Sequence, residues 1–114
     1  MADCLFCKIR DGQIPAELVH RDDHCLAFRD INPAAPVHLL VIPTRHIATL
    51  NDLDAEQSAI IGSLFAAIPG IAKAAGVAEG GYRVVANCNA DAGQEVFHIH
   101  FHLLGGRKLT WPPG

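Results

Sequence analysis

Hydrophobic and polar positions alternate most strictly in "FHIHFHLLGG", residues 97–106. A period of two is that of a β-strand, whose successive side chains point to opposite faces. The pattern predicts one face of Phe97, Ile99, Phe101 and Leu103 and an opposite face of His98, His100 and His102. At about 3.3 Å per residue, neighbouring imidazoles would stand about 6.6 Å apart and the outer pair about 13 Å apart. A helix would scatter the same residues around its axis. The aromatic and β-branched residues also favour a strand.

Other elements follow from the same kind of reading. "CLFCKIRDG" predicts a short helix ending at Gly12, with Pro15 preventing its continuation. "AELVH" and "HCLAFR", joined by "RDD", form a predicted hairpin. After the stiff loop "NPAAP", the run "VHLLVIP" has the length of a buried strand. From Asp54 the period becomes helical: Ile60, Ile61, Leu64, Phe65, Ile68, Ile71, Ala72 and Ala75 fall on one broad stripe. Asp54 and Gln57 predict a capping box and Gly76 a stop. Pro69 predicts a kink, or two shorter helices. "YRVVAN" is a fourth strand, "NADAG" a loop and the histidine segment the fifth strand. Strands grouped around one long helix give the α+β class.

Composition narrows what such a fold could serve. A chain of 114 residues suits a single domain, and 50% hydrophobic with 18% charged residues is globular rather than disordered. The net charge of −3 argues against a general nucleic-acid binder. Residues 59–78 are the one stretch resembling a membrane span, but Pro69, Lys73, three glycines and the helical period weaken that reading. The N-terminus shows neither a basic leader nor an apolar core of the secretory kind. The expectation is a soluble cytoplasmic protein.

Three imidazoles on one sheet face suit nucleophilic attack on phosphorus. A neutral imidazole is a competent nucleophile, and its neighbours can donate to phosphoryl oxygens or move a proton. Mutual repulsion helps to keep one of them neutral. The alternatives are a solvated histidine face or three metal ligands. "CLFC" adds a second chemical feature, Cys4 and Cys7. A redox pair normally follows a strand in a βαβ setting; the same spacing equally suits two thiolates on a tetrahedral zinc. Cys25 and Cys88 lack paired spacing, and no disulfides are expected.

"GQEVFHIHFHLLGG" resembles the histidine triad signature, and the likeness extends along "LFCKIRDGQIPAELVHRDDHCLAFRDINPAAPVHLLVIPTRHI", "GYRVVAN" and "GGRKLTWPPG". The resemblance is to the Hint branch of the histidine triad (HIT) family. It implies one HIT domain over residues 1–114, an α+β fold with a five-stranded antiparallel sheet, one main helix and a short N-terminal helix. It further implies a homodimer whose two sheets join into ten strands. The implied activity is purine nucleoside phosphoramidase, hydrolysing the P–N bond of AMP or GMP amidates through a nucleotidyl-histidine. Related branches act on dinucleoside polyphosphates, and "WPPG" favours Hint over those.

Matching the motif, His100 is the implied nucleophile, His102 contacts the phosphate and assists the leaving group, and His38 is a proton relay. Asp30 is implied to bond the ribose, and Asn87, Gly93 and Gln94 to face the phosphate. Leu5, Phe6, Ile9, Phe28, Ile31 and Leu40 match the apolar walls around the base, although several would serve equally as core. Glu95 stands where some members carry a leaving-group serine, a departure from that pattern that places a carboxylate beside the implied phosphate site. Arg29 has no assigned role. Members with the N-terminal cysteine pair bind a structural zinc, here implied at Cys4, Cys7, His46 and His98; no catalytic metal is expected. The tail, residues 109–114 with Trp111, is implied to lie at the dimer interface. A metal-binding regulatory module and a nucleotide sensor without turnover are the competing classes.

Overall fold

The computed structural model describes residues 3–114. In chain order it contains α1 (Leu5–Arg10), β1 (Leu18–Arg21), β2 (Cys25–Arg29), β3 (Val37–Pro43), α2 (Ala55–Ala74), β4 (Tyr82–Ala86) and β5 (Phe101–Gly105), with single 3-10 turns at Leu50–Asp52 and Ala90–Ala92. The five strands form one antiparallel sheet in the order β1-β2-β3-β5-β4. This is the expected α+β fold, a five-stranded antiparallel sheet with one main helix and one short one.

The sheet has a helix on each face, and the alternation along each strand decides which core a residue joins. Ala27, Leu39, Val41, Phe101 and Leu103 point toward α2 and pack with its Leu64, Ile68, Ile71 and Ala72. Leu26, Phe28, Leu40 and Ile42 point the other way and enclose Phe6 and Ile9 of α1. A strand hidden on both faces needs a nearly continuous apolar run, and β3, "VHLLVIP", supplies it.

Helix α2 departs from the sequence reading in two details. The Asp54 carboxylate accepts the Gln57 N–H at 2.8 Å, but the Gln57 side chain does not return the bond, and its Oε1 is buried without a partner. The reciprocal capping box occurs instead at Thr49 and Asp52 of the preceding 3-10 turn. Of the two outcomes expected at Pro69, the division into two shorter helices does not occur: the helix runs unbroken from Ala55 to Ala74. The proline is exposed, so water can reach the Phe65 carbonyl that it leaves without an N–H partner.

The histidine segment is the larger departure. β5 begins only at Phe101, so His98 and His100 precede the strand. Its partners run out there: Phe101 pairs with Val41 on one side and with Ala86, the last residue of β4, on the other. The preceding chain is tied instead by the Ile99 N–H to the Ile47 carbonyl at 2.7 Å. Ile99, Phe101 and Leu103 still enter the α2 core, whereas Phe97 is exposed.

After β5 the chain turns back against β3 at Gly106. Its φ is +90°, and a Cβ there would stand 2.9 Å from Pro36 Cβ. Gly106→Ala is expected to lower stability by about 1–3 kcal/mol, combining backbone strain with overpacking. Urea unfolding monitored by far-UV circular dichroism checks it; an unchanged midpoint would show that the turn relaxes freely.

Candidate active site

His38 on β3 and His102 on β5 point to the face of the sheet opposite α2, where α1 packs. The Ala34 N–H donates to His38 Nδ1 at 3.0 Å, so a neutral His38 carries its proton on Nε2. That Nε2–H donates to His102 Nδ1 at 2.9 Å, which leaves the His102 proton on Nε2. His100 is set in the opposite sense. Its Nδ1–H donates to the His98 carbonyl at 2.8 Å, which can only accept, so the Nε2 of His100 holds a free lone pair. The rings of His100 and His102 lie 5.1 Å apart between centroids, closer than a regular strand would hold them. One therefore presents a lone pair and its neighbour an N–H donor.

Burial keeps these rings neutral. Desolvation is the largest cause of a lowered pKa at His38, His100 and His102, and His102 is brought to about 4, with its two histidine neighbours lowering it further. Asp30 acts in the opposite direction on all three: its Oδ2 lies 3.4 Å from His38 Nε2.

His100 and His102 line a cavity of about 360 Å³. Its apolar wall is built from Leu5, Phe6, Ile9, Phe28, Ile31 and Leu40. Ile31, at 91% exposure, lies at the rim, and Phe6 packs edge-on against His100 with ring centroids 5.0 Å apart. Asp30, Asn87, Gly93 and Glu95 complete the polar side. Gly93 adopts φ +86°, a conformation for which glycine is suited. Asp30 accepts the Asn32 N–H through Oδ1 at 2.8 Å.

Two expected site residues stand outside the lining. His38 lies behind two lining residues, His102 and Asp30, and contacts both. Gln94 is buried with its side chain committed to the backbone: Nε2 donates to the carbonyls of Ala48 and Val96, and Oε1 accepts the Asn89 N–H. It braces the loop that carries Gly93. Ile14, Pro15, Ala16, Arg29 and Val96 also border the cavity, and the sequence reading missed them. Residues 14–16 follow the α1 stop in a loop with no periodic signal; Val96 was hidden inside the histidine motif. Arg29 forms an ion pair with Glu17.

His98 takes a different direction from the other two triad histidines. It is fully buried, its Nε2–H donates to the Pro43 carbonyl at 2.9 Å, and its Nδ1 lone pair faces Cys4 and Cys7 Sγ at 3.4 and 3.5 Å. His46 Nδ1 lies 3.4 Å from Cys7 Sγ. All four donor atoms fall within 4.8 Å of one another. Tetrahedral zinc with ordinary Zn–S and Zn–N bonds would separate S and N by about 3.5 Å, so the set fits that ion. The pairing of His98 Nε2 with a carbonyl is also the outer contact expected of a ligating histidine. The four cysteines are free thiols, as expected, and α1 precedes the first strand rather than following one. The cluster can hold a metal ion.

A small α+β domain with a lone-pair imidazole and a donor imidazole in the wall of an apolar cavity defines a histidine-based site. Comparison with known proteins gives the class a name. The HIT domain family matches residues 11–109. The purine nucleoside phosphoramidase of Escherichia coli K12 is 48% identical over 107 residues, 94% of this chain and 90% of that protein. An uncharacterized HIT-like protein of Synechococcus elongatus is 52% identical, over 98% of this chain and 97% of its own. Among solved structures, a HIT family hydrolase from Legionella pneumophila superposes with a TM-score of 0.95 at 54% identity, covering 98% of this chain and 100% of that one. The chain belongs to the HIT domain family.

Proposed function

We propose that the protein is a purine nucleoside phosphoramidase that hydrolyses the P–N bond of AMP or GMP amidates. The observation carrying this reading is the tautomer of His100: a buried, neutral imidazole with its Nε2 lone pair free and a nucleotide-sized cavity in front of it. The named activity of the E. coli relative supports the choice of substrate. The base fits among Phe6, Phe28 and Leu40, and Asp30 takes the ribose hydroxyls.

The chemistry divides into two steps. His100 Nε2 attacks the phosphorus, the P–N bond breaks, and the amine leaves with a proton drawn from solvent at the open mouth. His102 donates its Nε2–H to a phosphoryl oxygen, held in that tautomer by His38. Water then attacks the nucleotidyl-imidazole, releasing AMP, returning the proton to solvent and restoring the His100 lone pair. Incubation with adenosine 5′-phosphoramidate and its guanosine counterpart tests the proposal: AMP or GMP should appear with one equivalent of ammonia. Turnover of dinucleoside polyphosphates in preference to amidates would move the protein to another branch, and binding without turnover would make it a sensor.

The pH profile should carry the signature of desolvated histidines. Neutral rings are needed, and lowered pKa values extend the neutral state toward acid. The acid limb of kcat/KM is expected below the ordinary imidazole value of about 6.5. A midpoint at or above that value would show solvated rings.

The reading also includes a cytoplasmic homodimer with one structural zinc per chain at Cys4, Cys7, His46 and His98. Helix α2 is long and apolar enough to cross a membrane, yet only 22% of that window is buried, with Phe65 exposed. A second copy packing on this face would cover it. Trp111, 80% exposed on a tail held by Arg83 to the Thr110 carbonyl, would then meet the partner. Sedimentation equilibrium at micromolar concentration should give twice the chain mass, and the monomer mass would refute the dimer.

A further inference from the structure

The cysteine–histidine cluster touches His100 from two sides. His98 turns its Nδ1 to the thiols of Cys4 and Cys7, while its backbone carbonyl accepts the Nδ1–H of His100. Phe6, between the two cysteines in sequence, has its ring centroid 6.0 Å from His98 and 5.0 Å from His100, edge-on to both. One contact sets the tautomer of His100 and the other limits its tilt.

The geometry points to the Cys4–Cys7–His46–His98 cluster as a positioning device for His100, whose occupancy by zinc governs the nucleophile's tautomer and thereby the rate of the chemical step. This inference rests on the nucleotidyl-histidine reading above. Thiols are weak hydrogen-bond donors, so with them alone the His98 ring has one strong anchor, the Nε2–H bond to the Pro43 carbonyl. An ion at Nδ1 adds a directional bond and makes the opposite N–H a better donor. Pinned at both nitrogens, residue 98 keeps its carbonyl aimed at His100. The same peptide unit is tied by the Ile99 N–H to the carbonyl of Ile47, the residue after His46, so an ion bound at both histidines holds it from both ends. When the ion leaves, both ends loosen, that peptide can turn, and His100 can shift its proton to Nε2, where it no longer attacks phosphorus.

The ion has a route in and out. Cys4 and His46 border an open groove of about 640 Å³, whereas His98 is fully buried. Exchange therefore needs no unfolding. Helix α1 remains docked in either state, because Phe6 and Ile9 pack with Leu26, Phe28 and Ile42 and the Arg10 guanidinium donates to the Thr44 carbonyl at 2.9 Å. The base wall stays in place, so occupancy acts on kcat rather than KM.

The test uses the full chain labelled with ¹⁵N-histidine, stripped of metal and then given one equivalent of Zn(II). Long-range ¹H–¹⁵N spectra report each imidazole tautomer. The loaded protein should show His100 protonated only at Nδ1, and the stripped protein a mixture. With adenosine 5′-phosphoramidate, kcat should fall roughly tenfold on stripping, the size expected for loss of an outer support, with KM changed less than twofold. His46→Ala should behave as the stripped protein even with zinc present. His46→Cys, which restores a four-ligand set that zinc accepts, should recover both tautomer and rate. One His100 tautomer and equal kcat in both forms would overturn the inference, as would failure of the wild type to take up zinc. If the tautomer follows zinc but neither form releases AMP, the positioning stands and the phosphoramidase reading falls.

Discussion

His100→Ala is expected to abolish turnover while leaving nucleotide binding nearly intact. The variant loses the only imidazole in the cavity wall whose Nε2 lone pair is free, because the His102 Nε2 carries the proton imposed through His38. The apolar wall and Asp30, the proposed contacts of base and ribose, remain in place. Loss of a general acid or base costs roughly 10²–10⁴-fold; loss of the atom that forms the bond should exceed that range. Calorimetry should give an AMP affinity within a few-fold of wild type. Mass spectrometry of rapidly quenched wild type should show a nucleotidyl adduct that the variant lacks. Activity within tenfold of wild type would end the covalent mechanism.

Leu103→Ala is expected to produce the largest loss of stability. Leu103 is fully buried on β5 and belongs to the core shared with α2. Truncating such a side chain removes its burial and leaves a cavity, together about 2–5 kcal/mol, or a fall in Tm of roughly 10–20 °C for a chain of this size. The neighbouring His102 faces the other side of the sheet, so kcat per folded molecule should stay close to wild type below the melting range. Scanning calorimetry with activity measured at 20 °C below Tm separates the two. A shift of only one or two degrees would mean that the α2 side of β5 is not the core.

Much of the fold was legible because the chain's periods are clean. The run from Val37 to Pro43 and the stripe through Leu64, Ile68 and Ile71 became a strand buried on both faces and the helix packed beside it. Gly12, at φ +77°, ended α1 as expected. The failures share a cause. Pro69 and Gln57 were judged by local rules, yet local cost is set by which side of α2 meets water. Phe65 fell on the apolar stripe but remains exposed, because the sheet covers only part of a stripe that broad.

The histidine row shows where sequence stops. A period of two placed Ile99, Phe101 and Leu103 on the side away from His100 and His102, and that survived although the strand starts only at Phe101. The sequence by itself determined the α+β class, the buried third strand and the set of residues able to do chemistry, because spacing and residue type are local properties. Tertiary structure decided how the three histidines divide their work. His98 is drawn to cysteines more than ninety positions away, His38 reaches His102 across 64 positions, and Gln94 is turned inward to the Ala48 carbonyl. A ring's free lone pair depends on what its other nitrogen meets, and that partner is chosen by the fold rather than by the neighbours in the chain.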